Sequence, residues 1–265
     1  MNRRDFLKLG LKILGGLLIF PKSSWLFSAD RPSPKETLPR RSFGRTGFSA
    51  GLVGLGGEGV LRTYGRRREA VPLIERALEL GINYFDTAPA YSESQDYYGE
   101  VFRAHTKVRD RIFLASKTHD RSYEGSLKLL KDSLKRLGTD HLDLWQLHDL
   151  RDQNDLEEIF SPRGAIKALE EAKKKGWVRF LGITGHHDPA ILKEAAERFD
   201  FDSALVALNA ADSHSLSFIK DFLPVAQRKG MGIIGMKVYS RGRILGNALL
   251  TAREALFYVL SLPVS

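Results

Sequence analysis

The chain has 265 residues, 43% of them hydrophobic, and contains no cysteine. That length can bury one large core, such as a single barrel of about 250 residues. The absence of thiols excludes structural disulfides, cysteine-ligated metals and a lipidated cysteine anchor, and leaves the redox compartment open. The net charge of +9 does not argue for nucleic acid, because residues 1–29 hold Arg3, Arg4, Lys8, Lys12 and Lys22 against Asp5, a net of +4. Elsewhere basic residues such as Lys128, Lys131, Lys135 and Arg136 alternate with apolar positions, the pattern of a solvated helix face.

In chain order, Met1–Lys8 is a charged segment followed by the apolar run Leu9–Phe20. A charged stretch before a short apolar one is the form of an export signal, and the run is too short for a span of about 20 residues. Adjacent Arg3 and Arg4, followed by Phe6, Leu7 and Lys8, resemble a twin-arginine signal. Residues 1–29 are therefore expected to direct export to the periplasm through the twin-arginine machinery. Phe27-Ser28-Ala29 is a poor cleavage site, so an uncleaved signal could also hold the protein at the membrane. Residues 30–37, with Pro32 and Pro34, are predicted to be a stiff linker to a folded unit over 38–265.

From Gly51 onward short apolar runs alternate with amphipathic stretches. The predicted strands are Leu52–Leu55, Ile82–Phe85, Ile112–Ser116, Leu142–Leu147, Val178–Ile183, Ser203–Leu208 and Gly232–Met236, mostly apolar enough to be buried on both faces. Between them, Leu127, Leu130, Leu134 and Leu137 form one helical stripe stopped by Gly138, and Asp188-Pro189 opens a further helix. Gly81 and Gly176 end two more, and Ala252–Leu260 is the last helix. Such alternation means parallel strands joined by crossover helices, either an open sheet or a closed barrel.

The glycines of Gly54-Leu55-Gly56-Gly57-Glu58-Gly59 match a dinucleotide fingerprint, but that motif needs a helix opening at the glycines. Here Val60–Gly65 intervenes, and helical patterning starts only near Arg67–Glu69, so the match is a decoy for that fold. The placement of polar residues decides for a barrel. Asp86, Lys117, His148, Thr184, Asn209 and Lys237 each stand at the C-terminal edge of an apolar run. A barrel gathers those edges into one rim, whereas an open sheet spreads them along a line.

Asp86-Thr87-Ala88-Pro89-Ala90-Tyr91, Lys117 after Phe113–Ser116, and Leu144-Trp145-Gln146-Leu147-His148 resemble the catalytic tetrad of the aldo-keto reductases. Phe43-Gly44-Arg45-Thr46-Gly47 resembles the turn leading into that family's first strand, so the likeness runs from about Leu38 to Ser265. It implies a (β/α)8 TIM-type barrel that reduces a small aldehyde, ketone or quinone with NADP(H), NAD(H) being the other possible cofactor. Tyr91 is then the proton donor, Lys117 the cation that lowers its pKa, Asp86 the counter-ion and His148 the group orienting the carbonyl. Taken singly, each of these residues reads more simply as a cap, a packed ring or a solvated charge.

The same likeness implies a cofactor site from Gly56, Gly57, Thr184, Asn209, Met236, Lys237 and Arg241. Gly185 stands where the family usually has asparagine, Leu205 where it has glutamine, and Met236 where a ring often stacks on the nicotinamide. His186 is expected to replace the missing asparagine. A metal site from His186, His187 and Asp188, or from His148 and Asp149, is set aside because adjacent histidines on one loop rarely face the same ion. Seven strands are accounted for when the sequence reaches Ser265, so the barrel is expected to lack its eighth strand and final helix. An inert or truncated barrel binding a nucleotide or partner is the alternative to an enzyme.

Overall fold

The computed structural model describes residues 38–246 and 249–265, so the predicted signal and linker lie outside the described residues. A hairpin comes first, β1 (Arg40–Ser42) against β2 (Ser49–Gly51). Seven parallel strands follow, each paired with its sequence neighbours: β3 (Leu55–Gly56), β4 (Tyr84–Asp86), β5 (Phe113–Thr118), β6 (Leu142–Leu147), β7 (Val178–Gly185), β8 (Ser203–Ala207) and β9 (Gly232–Met236). Between strands lie α1 (Arg67–Glu79), α2 (Ser94–Ala104), α3 (Tyr123–Leu137), α4 (Gln153–Phe160), α5 (Ala165–Lys174), α6 (Pro189–Arg198) and α7 (Leu223–Arg228). After β9 come α8 (Arg243–Gly246) and α9 (Ala252–Ser261). This is a curled, all-parallel β/α sheet of seven strands, as the barrel reading expects, its sheet edges being β3 and β9 among the described residues.

Local signals set the helix ends. Ser122 accepts from Gly125 N at 3.1 Å at the start of α3, and Gly138 ends that helix with φ 67°, a conformation costly to a residue with a Cβ. Asp188 caps α6 by accepting from Ala190 N at 2.8 Å, with Pro189 at the first turn. No helix opens at the glycines after β3; the chain turns through Val60–Gly65 and α1 begins at Arg67.

Alternation along the strands explains how one sheet serves packing and chemistry. Phe85, Leu114, Trp145 and Leu147 face outward into the main core under the helices. Tyr84, Phe113, Ala115 and Leu144 face inward, where they form a second cluster with Phe43 and Ala50 of the hairpin. Phe43 makes edge contacts with Tyr84 and Phe113 at centroid distances of 5.6 and 5.2 Å, so the hairpin plugs the N-terminal end of the barrel. Gly44 permits that closeness: a Cβ there would stand 2.2 Å from Gly232 N. Above this plug, the inward rows continue from Tyr84 to Asp86, from Phe113 through Ala115 to Lys117, and from Leu144 through Gln146 to His148. Each row starts apolar and ends chargeable.

Carboxylates also pin the strands at their other end. Asp143, buried on β6, accepts from Arg109 Nη1 at 2.7 Å, Arg179 Nη1 at 2.9 Å and Leu114 N at 2.9 Å. Asp143→Ala strands the mostly buried Arg109 guanidinium and should cost about 3–5 kcal/mol of unfolding free energy in urea denaturation. A loss below about 1 kcal/mol would show that this cluster does not hold β5 to β6.

Candidate active site

β4, β5 and β6 end beside one another, and the register Asp86↔Ala115 and Lys117↔Gln146 places their polar side chains on one rim. Lys117 is fully buried; its Nζ touches Asp86 Oδ1 and donates to Thr87 O at 2.9 Å. The other Asp86 oxygen accepts from Gln146 Nε2 at 3.0 Å. Burial drives the Asp86 carboxyl up and the Lys117 ammonium down, each towards its neutral form, and their contact opposes both shifts. The pair is therefore a locked unit, stable only while both members are present.

Tyr91, 8% exposed as a residue, sits on the turn between β4 and α2 with its ring centroid 4.9 Å from the Lys117 ammonium. Its hydroxyl lies 3.4 Å from His148 Nε2, with the two rings edge to face at 5.4 Å. Burial, then the imidazole's proximity to Lys117, lowers the His148 pKa to about 3, so the ring is neutral at neutral pH and free to share a proton with the phenol. Arg121 clamps this segment from below by donating to the carbonyls of His148 and Asp149 at 2.9 and 3.0 Å.

The Tyr91 pKa is raised, by burial first and by Asp86 and Glu58 after it, and Arg62 is the cation that pulls it down. Lys117 stands 4.9 Å from the Tyr91 ring centroid and shares its charge with Asp86. Arg62, whose guanidinium carbon stands 5.6 Å from the Tyr91 ring centroid, escaped the sequence reading because it lies on the irregular loop before α1. Gln146 was also missed, although it stands two residues before His148 on the same strand and so shares its inward face.

A cleft of about 880 Å³ opens above these residues and continues down the unpaired side of the barrel. Asp86, Tyr91, Lys117, His148, Thr184, Gly56, Gly57, Met236, Lys237 and Arg241 all line it. Asn209 lines a smaller neighbouring pocket instead, and its side-chain oxygen accepts from Ala211 N at 3.0 Å. Leu205 also lines the cleft, pairing in register with Thr184. Gly57 is packed against the catalytic turn, where a Cβ would meet Ser94 Oγ at 2.5 Å, whereas Gly56 has open space beside it.

The residues present fit a dinucleotide. Thr184 Oγ1 accepts from Asp149 N at 2.8 Å, which leaves its own proton to donate to a ligand. Lys237, Ser240 and Arg241 all take left-handed backbone conformations, with φ of 57°, 47° and 56°, and form a cationic turn after β9. Burial first, and Arg241 after it, lowers the Lys237 pKa to about 8, and a phosphate beside it would offset both effects.

The Aldo/keto reductase family model matches residues 49–254. The chain belongs to the aldo/keto reductase family. Its members are NAD(P)H-dependent oxidoreductases. The chain is 31% identical to an L-galactose dehydrogenase of Arabidopsis thaliana, the match covering 76% of this chain and 66% of that one. A pyridoxal 4-dehydrogenase of Microbacterium luteolum is 28% identical, over 77% of this chain and 71% of its own length. Among solved structures, the holo form of an aldo-keto reductase from Bacillus halodurans superposes with a TM-score of 0.61 at 28% identity, covering 77% of this chain and 68% of that one. The chain thus spans about two thirds of the length of these relatives.

Proposed function

We propose that this aldo/keto reductase reduces a small aldehyde, ketone or quinone to the alcohol with NADP(H). The observation that carries the reading is the convergence of Asp86, Tyr91, Lys117 and His148 on one cleft at the C-terminal ends of adjacent strands. A reduced nicotinamide, when bound, supplies the hydride. The chain's own residues manage the oxygen. Neutral His148 can donate a hydrogen bond to the carbonyl and fix its direction, and the Tyr91 hydroxyl supplies the proton. The raised phenol pKa does not prevent this, because the oxygen of a reduced carbonyl is a stronger base than a phenolate. Lys117 and Asp86 keep the floor of the site rigid and its charge balanced.

Loss of NADPH absorbance with a panel of aldehydes and quinones, run beside a fluorescence titration of NADPH and NADH, tests this reading. Turnover with tighter binding of NADPH is the expected result. Binding without turnover on any carbonyl would favour the alternative, a barrel that only holds a nucleotide.

The N-terminal Arg3-Arg4 pair supports a second proposal, that residues 1–29 take the folded protein to the periplasm. Arg3→Lys combined with Arg4→Lys should leave it in the cytoplasmic fraction. An unchanged distribution between fractions would exclude this route.

A further inference from the structure

Two loops beside the catalytic floor bring together three groups that the proposed reaction does not require as a set. Asp149 follows His148 at the end of β6, and His186 and His187 follow β7. The histidine rings, expected from sequence to diverge, lie together with centroids 4.3 Å apart. His186 Nδ1 stands 2.9 Å and His187 Nε2 3.7 Å from the same oxygen, Asp149 Oδ1, and one ligand atom from each residue falls within 4.8 Å of the others. That oxygen is shielded from solvent and faces the two imidazoles, with no well-aligned hydrogen bond to it. The second Asp149 oxygen is occupied: Arg151 donates to it through Nε at 2.8 Å and pairs with it through Nη2 at 2.7 Å.

We propose that Asp149, His186 and His187 form a binding site for a late first-row divalent metal ion such as Zn²⁺, at the rim of the cleft. Ligands about 2.0–2.1 Å from a tetrahedral ion lie about 3.3 Å from one another. The two separations from the carboxylate oxygen, 2.9 and 3.7 Å, straddle that spacing, and all three ligand atoms lie within 4.8 Å of one another. The backbone is already set for it. Asp149 holds a left-handed conformation, with φ 58°, fixed by its N–H to Thr184 Oγ1 and its carbonyl to Arg121. Arg151 orients the carboxylate from outside, as outer-sphere partners of metal ligands do.

Two imidazoles and one carboxylate select zinc, cobalt, nickel or copper over magnesium and calcium. Arg151 and Lys237 face the cluster with positive charge, which further disfavours an ion held by charge alone. Three protein ligands leave coordination positions free, and the site borders both the cleft, through Asp149 and His186, and the smaller pocket, through His187.

Calorimetric titration of tag-free full-length protein with Zn²⁺, and visible spectroscopy with Co²⁺, test the site. One equivalent should bind, with Co²⁺ d–d bands appearing, and Mg²⁺ should give no heat. His187→Ala, a partly exposed position that the fold tolerates, should abolish the heat and the bands, as should His186→Ala. The remote His105→Gln should retain both. No binding by the wild type would overturn the site, and so would binding that survives both histidine substitutions. Neither readout depends on turnover, so failure here would leave the reductase reading intact, and failure of that reading would leave this one.

Discussion

Lys117→Met should lose about 3–5 kcal/mol of stability and most of the carbonyl reductase activity together. The lysine is fully buried and its ammonium is held by Asp86 and by the carbonyl of Thr87. Methionine fills a similar volume but leaves the Asp86 carboxylate buried with Gln146 as its remaining side-chain partner. Removing one member of a buried pair costs that much because the desolvated partner is left uncompensated. The turn from Thr87 to Tyr91 also loses one of its two ties to β5, keeping only Thr87 N to Ala115 O at 2.9 Å, so the hydroxyl drifts from the carbonyl it must protonate. The double variant Asp86→Asn with Lys117→Met separates the two effects. Urea denaturation should show it recovering much of the lost stability, while its turnover stays low. If Lys117→Met alone matched the wild type in both assays, the locked pair would have no role.

The fold was legible where a residue type carries its own geometry. The leucine stripe with Gly138 behind it, and Asp188 before Pro189, produced helices that end where their caps say they end. Six of the seven apolar runs became strands because a strand covered on both faces must be apolar nearly throughout, whereas the run Leu52–Leu55 bends after the hairpin and only Leu55–Gly56 pairs with the sheet. The reading of the glycines after β3 as a decoy rested on the delayed helix, and α1 does start at Arg67.

The candidate site was legible in position more than in electrostatics. Strand ends identified Asp86, Lys117 and His148, since alternation and parallel register decide which side chains share a mouth, while Tyr91, on a turn, was found only by the resemblance. Sequence could not weigh Lys117's two neighbours against each other; the structure pairs its ammonium with Asp86 and sets it 4.9 Å from the Tyr91 ring. Arg62 and Asp149 act from irregular loops, where no periodicity tells which way a side chain faces. Asn209 follows the sixth barrel strand as expected, yet its local turn sends it into the neighbouring pocket.

The central claim is that the Tyr91 hydroxyl delivers the proton, and Tyr91→Phe tests it with the least disturbance. Phenylalanine keeps the ring against His148 and Lys117 and deletes only the oxygen that lies 3.4 Å from the imidazole. NADPH affinity by fluorescence titration should be unchanged, while NADPH oxidation with the best aldehyde should fall by about 10²–10⁴-fold, the usual worth of a positioned acid. A variant that binds cofactor and reduces the aldehyde at the wild-type rate would contradict the account.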